Sequence, residues 1–244
     1  MRVTTILRHL LPALAALAAL AGPSRADFVL YAPNFSAPNI TTFDAAGTPT
    51  VFATTGITSP YGLAVDHAGN LYVANFTQNN IRVVSPTGAD LGIFTSTGLD
   101  RPAGMAFDAA GNLYVANDAF SGSFIQRFSP TGDDLGTFAS ALGPNTRGLA
   151  IDAAGNVYVS TSSPGGPIRQ FSPDGTFLGN FAFTGSFGNQ DLAFDAAGNL
   201  YVANSTLGAI LRFSPTGTPL GTFATLGGQP VGLAFAPDGT LYVS

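Results

Sequence analysis

The sequence predicts an all-β propeller of four-stranded antiparallel blades, and three observations predict it. The first is repetition: GLAVDHAGNLYVAN at 62–75 returns as GMAFDAAGNLYVAN at 104–117, GLAIDAAGNVYVS at 148–160, DLAFDAAGNLYVAN at 191–204 and GLAFAPDGTLYVS at 232–244. The second is period: Asp66, Asp108, Asp152 and Asp195 follow one another at 42, 44 and 43 residues, the length of a four-stranded unit and too long for a leucine-rich or ankyrin repeat. The third is composition. With 30 Gly, 17 Pro and only 9% charged residues in 244, the chain is too hydrophobic for disorder and too rich in glycine for a helical protein.

Residues 1–26 read as an export signal. Arg2 and Arg8 precede an apolar run at 10–21, Gly22-Pro23 breaks it, and Ser24 and Ala26 place small residues before a cut after Ala26. The run is too short to span a bilayer, so no stable membrane span is expected after cleavage, and the domain at 27–244 is placed outside the cytoplasm. Next, FVLYAPN, NITTFDAAG and PTVFA supply the last three strands of one blade. The first full unit then shows all four: GLAVD, NLYVAN, NIRVVS and DLGIFT. Asp-x-x-Gly-Asn joins the first two strands through an aspartate that accepts backbone N–H bonds and a glycine free to take positive φ. Ser-Pro-Thr-Gly joins the last two with proline at the second position of a turn. Apolar residues occupy both faces of these strands, so each sheet packs on neighbours, and the recurring Ala64, Ala106, Ala150, Ala193 and Ala234 leave room for large side chains of the adjacent sheet. The preferred count is six blades with an incomplete last one; the alternative is a closed five-bladed ring.

Chemistry is scarce. All 14 acidic residues are Asp and all 9 basic residues are Arg, so glutamate acid/base and lysine Schiff-base chemistry are excluded, and the absence of cysteine excludes disulfides. Without residues 1–26, six Arg face 14 Asp, which argues against a nucleic-acid partner. One Asp and one Asn per hairpin turn cannot form a calcium loop. Ser-Pro-Thr-Gly has no base beside it and is not a nucleophile elbow. His67 stands where other copies have alanine and marks no zinc site.

The pattern P-x-G-L-A-x-D-x-x-G-N-L-Y-V-A-N followed by I-x-x-F-S-P-x-G resembles the NHL repeat of exported bacterial β-propellers, over nearly all of the chain after residue 26. It also resembles the wider group that holds gluconolactonase-type lactonases and streptogramin lyase. The resemblance implies that first strands line a central channel, with ligands bound where the loops leading into them meet the second-to-third-strand loops. Ten Asp fall in hairpin turns, leaving Asp27, Asp100, Asp118 and Asp191, while Arg101 and Arg147 are the Arg in lead-in loops. The expected rim is therefore Tyr61, Arg101, Arg147, Asn189, Gln190 and Asp191, with Asn75, Asn117 and Asn204 ending second strands. Asp191 replaces the glycine of every other copy. No catalytic residue, metal ligand or cofactor is assigned. The expected function is a non-enzymatic, monomeric binding or scaffold module for a protein, peptide or glycan. The alternatives are a lactonase or lyase using a divalent cation such as Ca2+, and a structural cell-surface protein. Gluconolactonase-like sites hold their metal with a glutamate, which this chain lacks.

Overall fold

A computed structural model describes residues 3–5, 18–20, 29–44 and 47–244, and every element in them is a strand. β1 (Val3–Thr5) and β2 (Ala18–Leu20) precede β3 (Val29–Asn34), β4 (Asn39–Phe43) and β5 (Pro49–Ala53), and β2 to β5 form the first four-stranded sheet. The second blade is β6 (Pro60–Val65), β7 (Leu71–Asn75), β8 (Asn80–Val84) and β9 (Asp90–Thr95). The third is β10 (Pro102–Phe107), β11 (Leu113–Asn117), β12 (Phe124–Phe128) and β13 (Asp134–Ala139). β14 (Leu149–Ile151), β15 (Val157–Ser160), β16 (Pro167–Phe171) and β17 (Phe177–Phe183) make the fourth. β18 (Asn189–Phe194), β19 (Leu200–Asn204), β20 (Ala209–Phe213) and β21 (Pro219–Thr225) make the fifth. Finally β22 (Leu233–Phe235) and β23 (Leu241–Val243) pair antiparallel, and β1 lies parallel to β23.

The propeller expectation holds, with its count corrected. Five sheets, not six, carry the full four strands, and the remaining sheet is three-stranded. The first-strand position beside β3 is taken by Ala18–Leu20 in antiparallel register, and β22 pairs instead with β23 in the sheet that has three strands. That strand falls in the stretch read as an export signal; the proposed cut after Ala26 lies outside the described residues. No helix in the described residues is long and apolar enough to cross a membrane.

Each Asp-x-x-Gly-Asn turn closes as its chemistry requires. Asp66 Oδ1 accepts the N–H of Ala68 at 2.9 Å and of Asn70 at 2.8 Å, Oδ2 accepts from Asn70 Nδ2 at 2.9 Å, and Gly69 sits at φ 85°. The core lies between blades. Tyr72 of the second blade meets Phe94 at 5.0 Å and Phe107 of the third at 4.9 Å, both edge-on, in a cluster with Ala64, Met105 and Leu113. Small Ala64 makes the space that the Tyr72 ring shares, and Tyr158 and Tyr201 repeat the contact one blade apart.

Candidate active site at the channel mouth

A β-bulge aims the site residues. In β18, Asn189 faces Asn204 and Leu192 faces Val202, so one extra residue is accommodated at Gln190-Asp191; β6 has the same irregularity at Tyr61-Gly62 and β10 at Ala103-Gly104. At three of these channel positions only glycine fits. A Cβ on Gly62 would overlap the carbonyl oxygen of Ala103, one on Gly104 that of Arg147, and one on Gly148 that of Gln190. At the fifth blade the neighbour is arranged differently. The Asp191 N–H donates to Val231 O at 3.2 Å, Oδ1 accepts the Leu192 N–H at 2.9 Å and Oδ2 accepts the Leu233 N–H at 3.0 Å, so a carboxylate occupies what elsewhere is a glycine contact.

Above Asp191 three blades reach across the channel. Tyr61 Oη donates to Gln190 Oε1 at 3.4 Å, Arg147 Nη1 donates to the same oxygen at 3.3 Å, and Gln190 Nε2 donates to Ser205 Oγ at 3.2 Å. Tyr61, Arg147 and Gln190, with Asp191, Gly62, Gly104 and Gly148, line a cavity of about 10 Å3, the lower limit for one water molecule. Burial pushes the Asp191 carboxyl up to about 7, against the lowering effect of the Leu233 and Leu192 N–H bonds. Burial also raises Tyr61, with Arg147 pulling the other way.

Beside this roof lies Asp118, buried at 4% exposure. Its Oδ2 is 3.4 Å from Arg101 Nη2 and 3.7 Å from Arg147 Nε, so one carboxylate holds both lead-in arginines. Burial raises its pKa, and Arg147 and Arg101 oppose the shift. Aromatic rings line the same mouth: Tyr61 stacks on Phe76 at 5.2 Å, and Phe35 meets both edge-on.

The structure thus gathers Tyr61, Arg147, Gln190 and Asp191 around one cavity, with Arg101 attached through Asp118. The asparagines do different work. Asn75 accepts the Thr58 N–H at 2.9 Å and donates to Gly56 O, Asn117 accepts the Asp100 N–H at 2.9 Å, and Asn204 donates to Asn189 Oδ1 at 2.7 Å, all four amides being buried. They pin the lead-in loops to the ends of second strands. Sequence reasoning left Asp118 out of the rim, and it missed Phe35, Phe76 and Phe120. The available signal was that Phe76 and Asp118 each follow a strand-ending asparagine.

These side chains are a poor match for the divalent cation that the gluconolactonase-like resemblance implies. Asp191 is the one carboxylate lining the cavity, Asp118 faces two guanidinium groups, and Arg147 borders the cavity itself. Among the described residues no group of three or more His or Asp side chains is placed to hold a metal. A hard cation wants six to eight oxygens, and this donor set does not fit one.

No family model matches the chain, and no curated protein resembles it significantly in sequence. Solved structures do. A gluconolactonase from Xanthomonas campestris superposes with a TM-score of 0.79 at 18% identity, covering 94% of this chain and 82% of that one. A chain from a nidogen/laminin complex gives 0.75 at 19% identity over 94% and 84%, and a candidate gluconolactonase gives 0.77 at 17% over 96% and 90%. At such identities the likeness establishes the propeller fold. The chain is a β-propeller. The expectation of a non-enzymatic binding module is corrected here: two of these three neighbours bear the gluconolactonase name, which favours the enzymatic alternative. The carboxyl that stands out at this mouth is that of Asp191, partly exposed, lining the small cavity and raised towards neutrality by desolvation.

Proposed function

We propose that this propeller hydrolyses a lactone at the channel mouth without a metal or other cofactor. The observation that carries the reading is Asp191: a carboxylate of pKa about 7, held by two N–H groups, beside room for one water and next to the Arg147 guanidinium. In this reading Asp191 takes a proton from the water as its oxygen bonds to the lactone carbonyl carbon. Arg147 and Tyr61 donate to the oxygen on which negative charge collects. The ring C–O bond then breaks, the proton passes from Asp191 to the leaving alkoxide, and a hydroxy acid is released. The roof bonds at 3.3 and 3.4 Å are long, and a substrate's carbonyl and hydroxyl groups replace them. Gluconolactonase-named neighbours and the NHL-like repeat support an exported enzyme of this type.

The deciding experiment is hydrolysis of D-glucono-1,5-lactone, followed by pH-stat in excess chelator. Turnover by the wild type that Asp191→Asn abolishes supports the reading; turnover that chelator abolishes overturns the metal-free form. Export is proposed with cleavage after Ala26, which would remove β1 and β2 and leave β3 as the inner edge of its sheet. Intact mass of the exported product tests it: a product retaining residues 1–26 overturns the cleavage.

A further inference from the structure

One carboxylate at the upper mouth departs from the repeat without lining the Asp191 cavity. The residue after the last one of the second strand is Phe35, Phe76, Thr161 and Ser205 in the other four-stranded blades, and Asp118 in the third. The turn therefore asks for no carboxylate. Asp118 is nonetheless only 4% exposed, and a buried charge has to be offset by its partners.

Those partners come from two blades. The Asp118 N–H donates to Arg101 O at 3.1 Å and its Oδ2 lies 3.4 Å from Arg101 Nη2, which ties it to the lead-in loop of its own blade. The same Oδ2 lies 3.7 Å from Arg147 Nε, a buried atom on the lead-in loop of the fourth blade. Arg147 is the member of this group that lines the cavity, and its Nη1 bonds Gln190 Oε1 at 3.3 Å. The Arg147 loop is long and takes an unusual path. It spans 140–148, three residues more than the lead-in loops 54–59 and 96–101, and both Ala141 and Asn145 take positive φ, at 55° and 51°. Burial raises the Asp118 pKa, and the Asn145 N–H joins Arg147 and Arg101 in opposing the shift.

We propose that Asp118 is a positioning residue of the reaction, aiming the Arg147 guanidinium at the oxygen on which negative charge collects. With Nε held at Asp118 and Nη1 at Gln190, the planar group is fixed at two points. Asp118 touches no substrate in this role and acts through Arg147. The contact rests on the geometry alone, and its kinetic meaning rests on the lactonase reading.

The test is a double-mutant cycle in the full chain, with gluconolactone as substrate. Asp118→Asn lowers kcat about 10- to 100-fold with KM within about twofold, because a misplaced guanidinium weakens only the transition-state bond. In an Arg147→Ala background the same change alters kcat by no more than about twofold. Equal losses in both backgrounds overturn the proposal, and so does a variant with a changed melting temperature and an unchanged kcat. If Asp118→Asn does not fold, Asp118→Glu, whose extra methylene shifts the carboxylate, takes its place in the cycle under the same criteria. A readout free of the reaction is the Arg147 Nε–H resonance, assigned by its loss in Arg147→Ala. Asp118→Asn speeds its exchange with water about tenfold, and an unchanged exchange rate overturns the contact. If no lactone is hydrolysed yet the resonance depends on Asp118, the reaction falls and the positioning contact stands. If lactone is hydrolysed with a kcat indifferent to Asp118, the positioning role falls and the reaction stands.

Discussion

The two mouths of the channel are built from the same repeat and behave differently. At the lower mouth four turns are alike: Asp66, Asp108, Asp152 and Asp195 make the same three hydrogen bonds to the residues that follow them. The space behind them, about 510 Å3, is lined by Leu63, Ala64, Ala106, Phe107, Ala193 and Leu233 among others, with His67 and Asp108 as its ionisable groups. At the upper mouth the blades differ: the second contributes Tyr61, the third and fourth contribute Arg101 and Arg147, and the fifth contributes Gln190. Carboxylates repeated identically serve local backbone groups in each blade, whereas Asp118 and Asp191 occur once each and reach partners from other blades.

The sharpest way to break this contrast is Asp191→Gly, which returns the fifth blade to the residue of the other copies. Lactone turnover is expected to fall by about 10²-fold or more, the range for losing a general base, while far-UV circular dichroism stays that of the wild type. A matched outcome concerns pH. With the folded pKa near 7 against an ordinary carboxyl value of 3.8, the folded protein binds more protons than the unfolded one between those values. Stability contributed by Asp191 is therefore present at low pH and lost as pH rises through 7, while kcat/KM rises over the same limb; urea unfolding and rate profiles of Asp191→Asn should lose both trends.

Next in size is Gly104→Ala. Its Cβ would overlap the carbonyl of Arg147, so an expected loss of about 2–3 kcal/mol in urea unfolding is accompanied by weaker turnover, because Arg147 must move. Asp152→Ala strikes the lower mouth. Burial raises its pKa, but bonds from Asn156, Tyr158 and Ala154 outweigh that and hold it below the ordinary value. Removing it should cost about 1–2 kcal/mol in thermal unfolding and leave kcat/KM unchanged. A large kinetic effect would collapse the distinction between the mouths. The smallest effect is expected for Arg82→Ala, which removes a surface pair with Asp90 and should change stability by about 1 kcal/mol or less.

The blades were legible because every copy restates the same physical instructions: Gly at the positive-φ turn position, Asp before it, and Ala where a neighbouring Tyr needs space. Asp191 was legible for the opposite reason, as the one departure from a repeated glycine. Asp118 stood out as one of four Asp outside the hairpin turns, but its arginine partners and the aromatic contacts did not. They act through contacts between blades, Arg101 with Phe76 and Phe120, Arg147 with Asp118, and a sequence aligned repeat on repeat says little about which loops meet across a ring. The place of Ala18–Leu20 in the first sheet was likewise hidden, because an apolar run with arginines before it reads equally well as an export signal.

The tyrosines carry a spectroscopic consequence. The chain has seven tyrosines and no tryptophan. Six of them, Tyr31, Tyr72, Tyr114, Tyr158, Tyr201 and Tyr242, occupy the second strand of a different sheet, and the seventh, Tyr61, roofs the Asp191 cavity. Uniform fluorotyrosine labelling would therefore give one resonance per sheet and one for the site, so that the order in which sheets melt and the arrival of a ligand could be followed separately in a single sample.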